Sequence, residues 1–279
     1  MEPERTAEEN LFPGEGQVRM KVSLQGQVVF VTGASSGVGA ETVRQLAKRG
    51  AVPVLAARSG DKLRAVSASV EGEHLVCPTD VTDERSVNEA IRATVGKYGR
   101  IDVLVNNAGF GEFIPFRDAT IEQFREAMDV NYLGAVRCAK AVYPYMAAAG
   151  KGHIVNVASI AGKLGTAKST AYAASKHALL GFTNALRQDC KGTGILVSAV
   201  NPGPIDTPFF DRADPDGTYV RNLGRFMLKT EKVARAIVDV IESGKPEKDL
   251  PFVSAAGAKL FQLFPRTADR LLSGLLNKK

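Results

Sequence analysis

From about residue 27 to residue 200 the chain repeats one pattern: a short, continuous apolar run, a polar or glycine-rich turn, then a helical segment. The runs are Val28–Thr32, Ala51–Ala57, His74–Cys77, Ile101–Val105, His153–Ala158 and Ile195–Val200. Runs this short and uniformly apolar suit strands covered on both faces. Pro53 is the one discord, tolerable near a strand's start or edge. Helical segments are expected over 40–49, 61–70, 83–98, 120–148, 171–190 and 230–242, and a last strand over 250–253. Strand–helix alternation implies right-handed crossovers, hence an α/β fold: a doubly wound parallel sheet of about seven strands with helices on both faces. Ligands of such sheets bind beyond the carboxyl ends of the strands. Gly33, Arg58, Asp80, Asn106, Ser159 and Asn201-Pro202-Gly203 all fall there.

The first strand ends in Thr32-Gly33-Ala34-Ser35-Ser36-Gly37-Val38-Gly39. A lone glycine-rich turn is weak evidence, since a tight turn needs no ligand. Between a strand and a helix it is better read as a phosphate cradle, because the helix N-terminus presents unpaired N–H groups to an anion. Tyr172 and Lys176 are four residues apart and share one helix face. An ammonium beside a phenol favours the phenolate and lowers its pKa, which suits proton transfer near neutral pH. Tyr-x-x-x-Lys is also common by chance, and the spacing alone favours an ordinary helix face. Ser159, ending the fifth run, comes within reach of the same point. No G-x-S-x-G surrounds it, so it is not read as a hydrolase nucleophile.

Composition narrows the classes. The 279 residues are 44% hydrophobic and 24% charged, with a formal charge of +6 spread along the chain. That suits a small anionic ligand and lacks the aromatic-plus-basic pattern of a nucleic-acid binder. Cys77, Cys138 and Cys190 are far apart with no C-x-x-C, which points to reduced, buried thiols in a cytoplasmic setting. His74, His153 and His177 form no metal-ligand pattern, and no metal site is expected. The first residues are polar and acidic, unlike a secretory leader, and no apolar run reaches membrane-spanning length. Residues 1–22 are read as a flexible tail and 23–254 as one domain.

In combination, the glycine loop, Asn106-Asn107-Ala108-Gly109, Ser159, Tyr172-x-x-x-Lys176 and Pro202-Gly203 resemble the short-chain dehydrogenase/reductase family in order and spacing. The likeness spans Ser23 to Val253 and implies a Rossmann-type domain. It implies hydride transfer between a nicotinamide dinucleotide and a carbonyl or alcohol. Tyr172 would pass the proton, Lys176 would tune Tyr172 and hold the nicotinamide ribose, and Ser159 would hold the substrate oxygen. Asn131 matches the residue that anchors a water relay to the lysine. Gly33, Ser35, Ser36, Gly37, Val38 and Gly39 would cradle the phosphates. Asp80 and Val81 would touch the adenine, Asn107, Ala108 and Gly109 the adenosine side, and Pro202, Gly203, Ile205 and Thr207 the carboxamide. Asp80 could equally be a turn residue.

Strand two ends in Ala57-Arg58 with no acidic residue. A ribose with free hydroxyls favours a carboxylate there and a 2′-phosphate favours a cation, so NADP(H) is expected over NAD(H). Residues 205–228 resemble a substrate lid. Its Phe209, Phe210, Tyr219, Phe226 and Met227, with Phe110, Phe113 and Phe116 from the loop after strand four, suggest a largely apolar substrate. Residues 255–279 form an amphipathic extension, expected to pack on the substrate pocket or a subunit interface, with peripheral membrane contact as the minority reading. The expected whole is a homo-oligomeric (dimeric or tetrameric) carbonyl reductase or alcohol dehydrogenase. An NAD-dependent hydroxysteroid or polyol dehydrogenase is the alternative enzyme, and a dinucleotide-sensing regulator the alternative of another class.

Overall fold

The computed structural model describes residues 21–224 and 227–251, together with 257, 261 and 263. Residues 1–20 of the expected tail, Arg225 and Phe226 of the lid, and most of the C-terminal extension lie outside the described residues.

Seven parallel strands form one sheet in the order β3-β2-β1-β4-β5-β6-β7. They are β1 (Val28–Thr32), β2 (Val52–Ala57), β3 (Leu75–Pro78), β4 (Val103–Asn106), β5 (Gly152–Val157), β6 (Ile195–Pro202) and β7 (Glu247–Leu250). The chain winds outward from β1 to β3, then returns to pair β4 with the other side of β1. That reversal opens a crevice at the carboxyl ends of β1 and β4, where ligands of doubly wound sheets bind.

The uniform apolarity of the five inner strands has its expected cause, because both their faces are covered. In β1, Val29 and Val31 face one core, and Val28 and Phe30 face the other. The first core is completed by α1 (Gly37–Lys48) and α9 (Thr230–Ser243), the second by α3 (Glu84–Tyr98) and α5 (Gly134–Ala148). Fully burying each such side chain contributes about 1.5–3 kcal/mol, so two apolar faces per strand dominate the stability of the sheet. Pro53 is tolerated for a register reason. Even-numbered residues of β2 bond β1, as Val52 N donates to Gln27 O (2.8 Å), so position 53 faces β3. Strand β3 starts only opposite Val54, leaving no partner for the N–H that proline lacks.

Local caps set several element starts. Ser59 accepts from Lys62 N at the start of α2 (Gly60–Ser67), and Asp83 does the same for Arg85 N in α3. Thr120 and Gln123 form a reciprocal capping box at α4 (Ile121–Met128).

Two expectations need correction. The long helix over 120–148 is interrupted: Asp129–Leu133 is a π turn between α4 and α5. A π turn re-aims side chains within a helix and often marks a functional position; here the buried residue is Asn131. The last strand lies at Glu247–Leu250 rather than 250–253, and Phe252 and Val253 lie outside the described residues. Its charged Glu-Lys-Asp sequence hides a strand whose carboxylates are individually paired. Lys163 Nζ reaches both Asp249 oxygens at 2.8 Å and Glu247 Oε1 at 2.6 Å, and Asn201 Nδ2 donates to both carboxylates at 2.7 Å.

The three cysteines are free and buried. Burial pushes the Cys138 thiol up to about 12, so it stays protonated and unreactive. No helix among the described residues is long and apolar enough to cross a membrane.

Candidate active site

One cavity of about 1020 Å³ runs along the carboxyl edge of the sheet. Every expected site residue from Gly33 to Thr207 lines it except Asn131 and the buried strand residues Asn106 and Asn201.

At one end lies the glycine loop. Gly33 has φ +67°, and a Cβ on Gly39 would sit 2.3 Å from Gly33 O, so the turn closes only with glycine at these points. The loop is braced from β4. Thr32 Oγ1 accepts from the backbone N–H groups of Asn107 and Ala108 (both 3.0 Å), and Asn107 Nδ2 donates to Thr32 O (2.9 Å). The first turn of α1 carries no acidic residue, and its N-cap Ser36 makes no side-chain cap bond. Arg58, Ser59 and Lys62 line the same end. Neither the Arg58 guanidinium nor the Lys62 ammonium has a partner among the described residues. Asp80 is different: its Oδ1 accepts from Thr82 N and Thr82 Oγ1, which makes it a turn residue as well as a cavity wall. Free N–H groups on a helix start and two unpaired cations fit a phosphate-bearing dinucleotide.

At the middle of the cavity, Ser159, Tyr172 and Lys176 come together. Strand β5 delivers Ser159, and α6 (Thr170–Asp189) delivers the other two. Ser159 Oγ accepts from Ala161 N (3.0 Å) and donates to Pro202 O (3.3 Å), which ties the ends of β5 and β6. Lys176 Nζ is buried, donates to Val157 O (3.0 Å) and lies 5.8 Å from the Tyr172 ring centroid. The expectation that Lys176 depresses the Tyr172 pKa does not hold in this arrangement. Burial raises the Tyr172 phenol, and the Ser159 hydroxyl offsets this in part. Burial also lowers Lys176 to about 8. Desolvation disfavours both charged forms here, phenolate and ammonium alike.

Asn131 stands one layer behind the wall. Its Oδ1 accepts from Phe110 N (2.9 Å), and its Nδ2 donates to Phe110 O (2.8 Å) and Ser175 Oγ (2.9 Å). The π turn thus holds the loop after β4 against α6. Gly109 fits between, since a Cβ there would sit 3.0 Å from Asn131 Oδ1 and 3.4 Å from Lys176 Nζ.

The far end is aromatic. The lid helices are α7 (Phe209–Ala213) and α8 (Thr218–Leu223). Tyr172 contacts Phe209 (5.6 Å between centroids), Phe209 contacts Phe210 (5.3 Å), and Phe113 meets Tyr219 edge-on (4.9 Å). Gly257, from the C-terminal extension, also lines the cavity. Sequence reasoning missed Lys62, Thr32 and the Lys163 cluster. Lys62 had a usable signal, because its helix starts two residues after Arg58 and puts it on the same rim.

A doubly wound sheet with a glycine loop at its switch point and a Ser-Tyr-Lys group in the cavity beyond it defines a class of oxidoreductases. Residues 27–217 match the family model for short chain dehydrogenases. An uncharacterized oxidoreductase of Staphylococcus haemolyticus is 35% identical over 216 residues, covering 77% of this chain and 90% of that protein. A 2-dehydro-3-deoxy-L-rhamnonate dehydrogenase (NAD(+)) of Sphingomonas is 32% identical over 214 residues, covering 75% and 86%. Among solved structures, the 3-ketoacyl-(acyl-carrier-protein) reductase of Brucella melitensis complexed with NADH superposes with a TM-score of 0.75 at 28% identity, covering 82% and 98%. The chain belongs to the short-chain dehydrogenase/reductase family and is an oxidoreductase.

Proposed function

We propose that the protein reduces a small carbonyl compound, or oxidises the corresponding alcohol, with NADP(H) as the hydride partner. The carrying observation is the convergence of Ser159, Tyr172 and Lys176 midway between the cationic and aromatic ends of one cavity. When bound, the dinucleotide supplies a hydride to the carbonyl carbon, or takes it back in the oxidative direction. Gly33, Ser35, Ser36, Gly37, Val38 and Gly39 hold its phosphates. Asp80, Val81, Asn107, Ala108 and Gly109 flank the adenosine, and Pro202, Gly203, Ile205 and Thr207 the nicotinamide. Ser159 donates a hydrogen bond to the substrate oxygen. Tyr172 gives its proton to that oxygen as the carbon is reduced, so one hydride and one proton together complete the alcohol. A phenol held protonated by burial suits this acid role. Lys176 supports the proton's replacement, and an anionic dinucleotide beside it favours its charged form over the neutral one. Asn131 positions the wall behind both.

The 2′-phosphate reading rests on the unpaired Arg58 at the end of β2, seconded by Lys62. NAD(H) is the competing reading, favoured by the relatives that carry NAD(+) or NADH in their descriptions. Comparing kcat/KM with NADPH and NADH decides between them. An NAD(H) preference that persists in Arg58→Ala overturns the NADP(H) reading. Activity is tested by NADPH consumption against a panel of ketones and aldehydes. If Tyr172→Phe turns over as well as the native protein, the proton-transfer role is wrong.

A further inference from the structure

The cavity's charges are divided unevenly. The charged residues lining it, among those described, are Arg58, Lys62, Asp80, Lys176, Asp211 and Arg212. At the aromatic end only Arg212 is cationic, and it is already engaged. Its Nε donates to Glu112 Oε1 and its Nη2 to Glu126 Oε2, both at 2.9 Å. One face of the guanidinium lies over the Phe110 ring, 3.8 Å from the centroid. Glu112 is held in turn by Gln123 Nε2 at 3.3 Å. Three elements are thereby clamped: α7 of the lid, the loop after β4, and α4.

Two carboxylates thus hold one guanidinium, a balance of −1 for the cluster, and Asp211 adds a further carboxylate to the cavity wall. Around them the wall is Phe113, Phe209, Phe210 and Tyr219. We infer that Glu112 and Glu126 are specificity-determining residues: by neutralising Arg212 they restrict the site to uncharged carbonyl substrates and turn away anionic ones such as 2-keto acids. Asp211 on the cavity wall disfavours an anion, and a cation committed to two carboxylates offers it little in return. This rests on the carbonyl-reductase reading for its substrate class, and it goes beyond that reading by assigning the discrimination to charge.

The test uses two probes of matched shape, phenylacetone and phenylpyruvate, in which a methyl is replaced by a carboxylate. The native protein with NADPH should favour phenylacetone in kcat/KM. The pair Glu112→Gln and Glu126→Gln, made together, takes the cluster from −1 to +1 and frees Arg212. It should narrow that ratio by about fivefold, the scale of a half-exposed ion pair. Arg212→Gln, which strands the carboxylates, should widen it. Opposite movements separate a charge filter from a structural clamp, because loosening the lid would move both variants the same way. A ratio that moves in the same direction in both, or in neither, overturns the inference. If no variant turns over either probe, the carbonyl reading fails. Saturation-transfer NMR of the same two probes on the NADP-loaded protein then measures the same ratio without turnover.

Discussion

The two ends of the cavity are built from opposite physics. At the end near β2, Arg58 and Lys62 stand beside the N-terminus of α1, without a side-chain partner among the described residues. At the lid, the lining cation, Arg212, is met by two carboxylates and a ring face, and aromatic contacts of 4.9–5.7 Å fill the rest. A cation without a partner is worth little to the fold and is available to a ligand. A cation with two partners orders the lid and is lost to a ligand. On the proposed reading, the same residue type serves recognition at one end and closure at the other. Between them sit Tyr172 and Lys176, both biased toward neutrality by burial.

The largest break in this picture comes at the boundary. Tyr172→Phe removes the proton donor and leaves both ends intact. It should lower kcat for ketone reduction by about 10³-fold, within the usual range for general acid catalysis, while NADPH binding followed by fluorescence changes little. At the cationic end, Arg58→Ala should raise KM for NADPH by about 30-fold, as expected for losing one charge-assisted contact, with a far smaller change for NADH. Equal losses with both cofactors would show that Arg58 does not read the phosphate. At the aromatic end, Phe113→Ala opens space beside Tyr219 and Phe210. KM for an apolar ketone should rise by about tenfold, consistent with losing roughly half of a buried ring's burial energy, and KM for NADPH should hold.

The smallest effect concerns Lys176. Its folded pKa of about 8 lies below the ordinary lysine value of about 10.4. Between these two values the unfolded chain binds more protons than the folded one, so stability rises with pH across that window. Denaturation midpoints of the native protein should therefore gain on those of Lys176→Met as pH goes from 7 to 10. Midpoints that run parallel would mean that Lys176 is not desolvated.

The sheet and the dinucleotide end are legible in the sequence because both depend on local pattern. Val28–Thr32 reads as a strand because it is buried on both faces, and Gly33 to Gly39 carries its constraint in residue type. Strand β7 was misplaced because Glu247 and Asp249 look like loop residues until Lys163, 84 and 86 positions earlier, is folded against them. The Arg212 clamp joins positions 100 and 86 apart and leaves no periodic trace. The π turn at Asp129–Leu133 leaves only a faint one: four of its five residues, Asp129, Val130, Asn131 and Tyr132, are weak helix formers, but weak propensity does not tell a π turn from an α turn. What the sequence misjudged about Tyr172 is its surroundings. Spacing puts a lysine beside a phenol, whereas the fold buries Lys176 and half-buries Tyr172, and that desolvation decides the direction of the shift.

The division of charge along the cavity is tested most directly by ionic strength. KM for NADPH and KM for an uncharged ketone are measured on the native protein from about 0.02 to 0.3 M NaCl, a range over which the screening length falls severalfold. The account predicts that KM for NADPH climbs steadily with salt while KM for the ketone stays flat. Parallel slopes for the two substrates, or a flat response for NADPH, would contradict it.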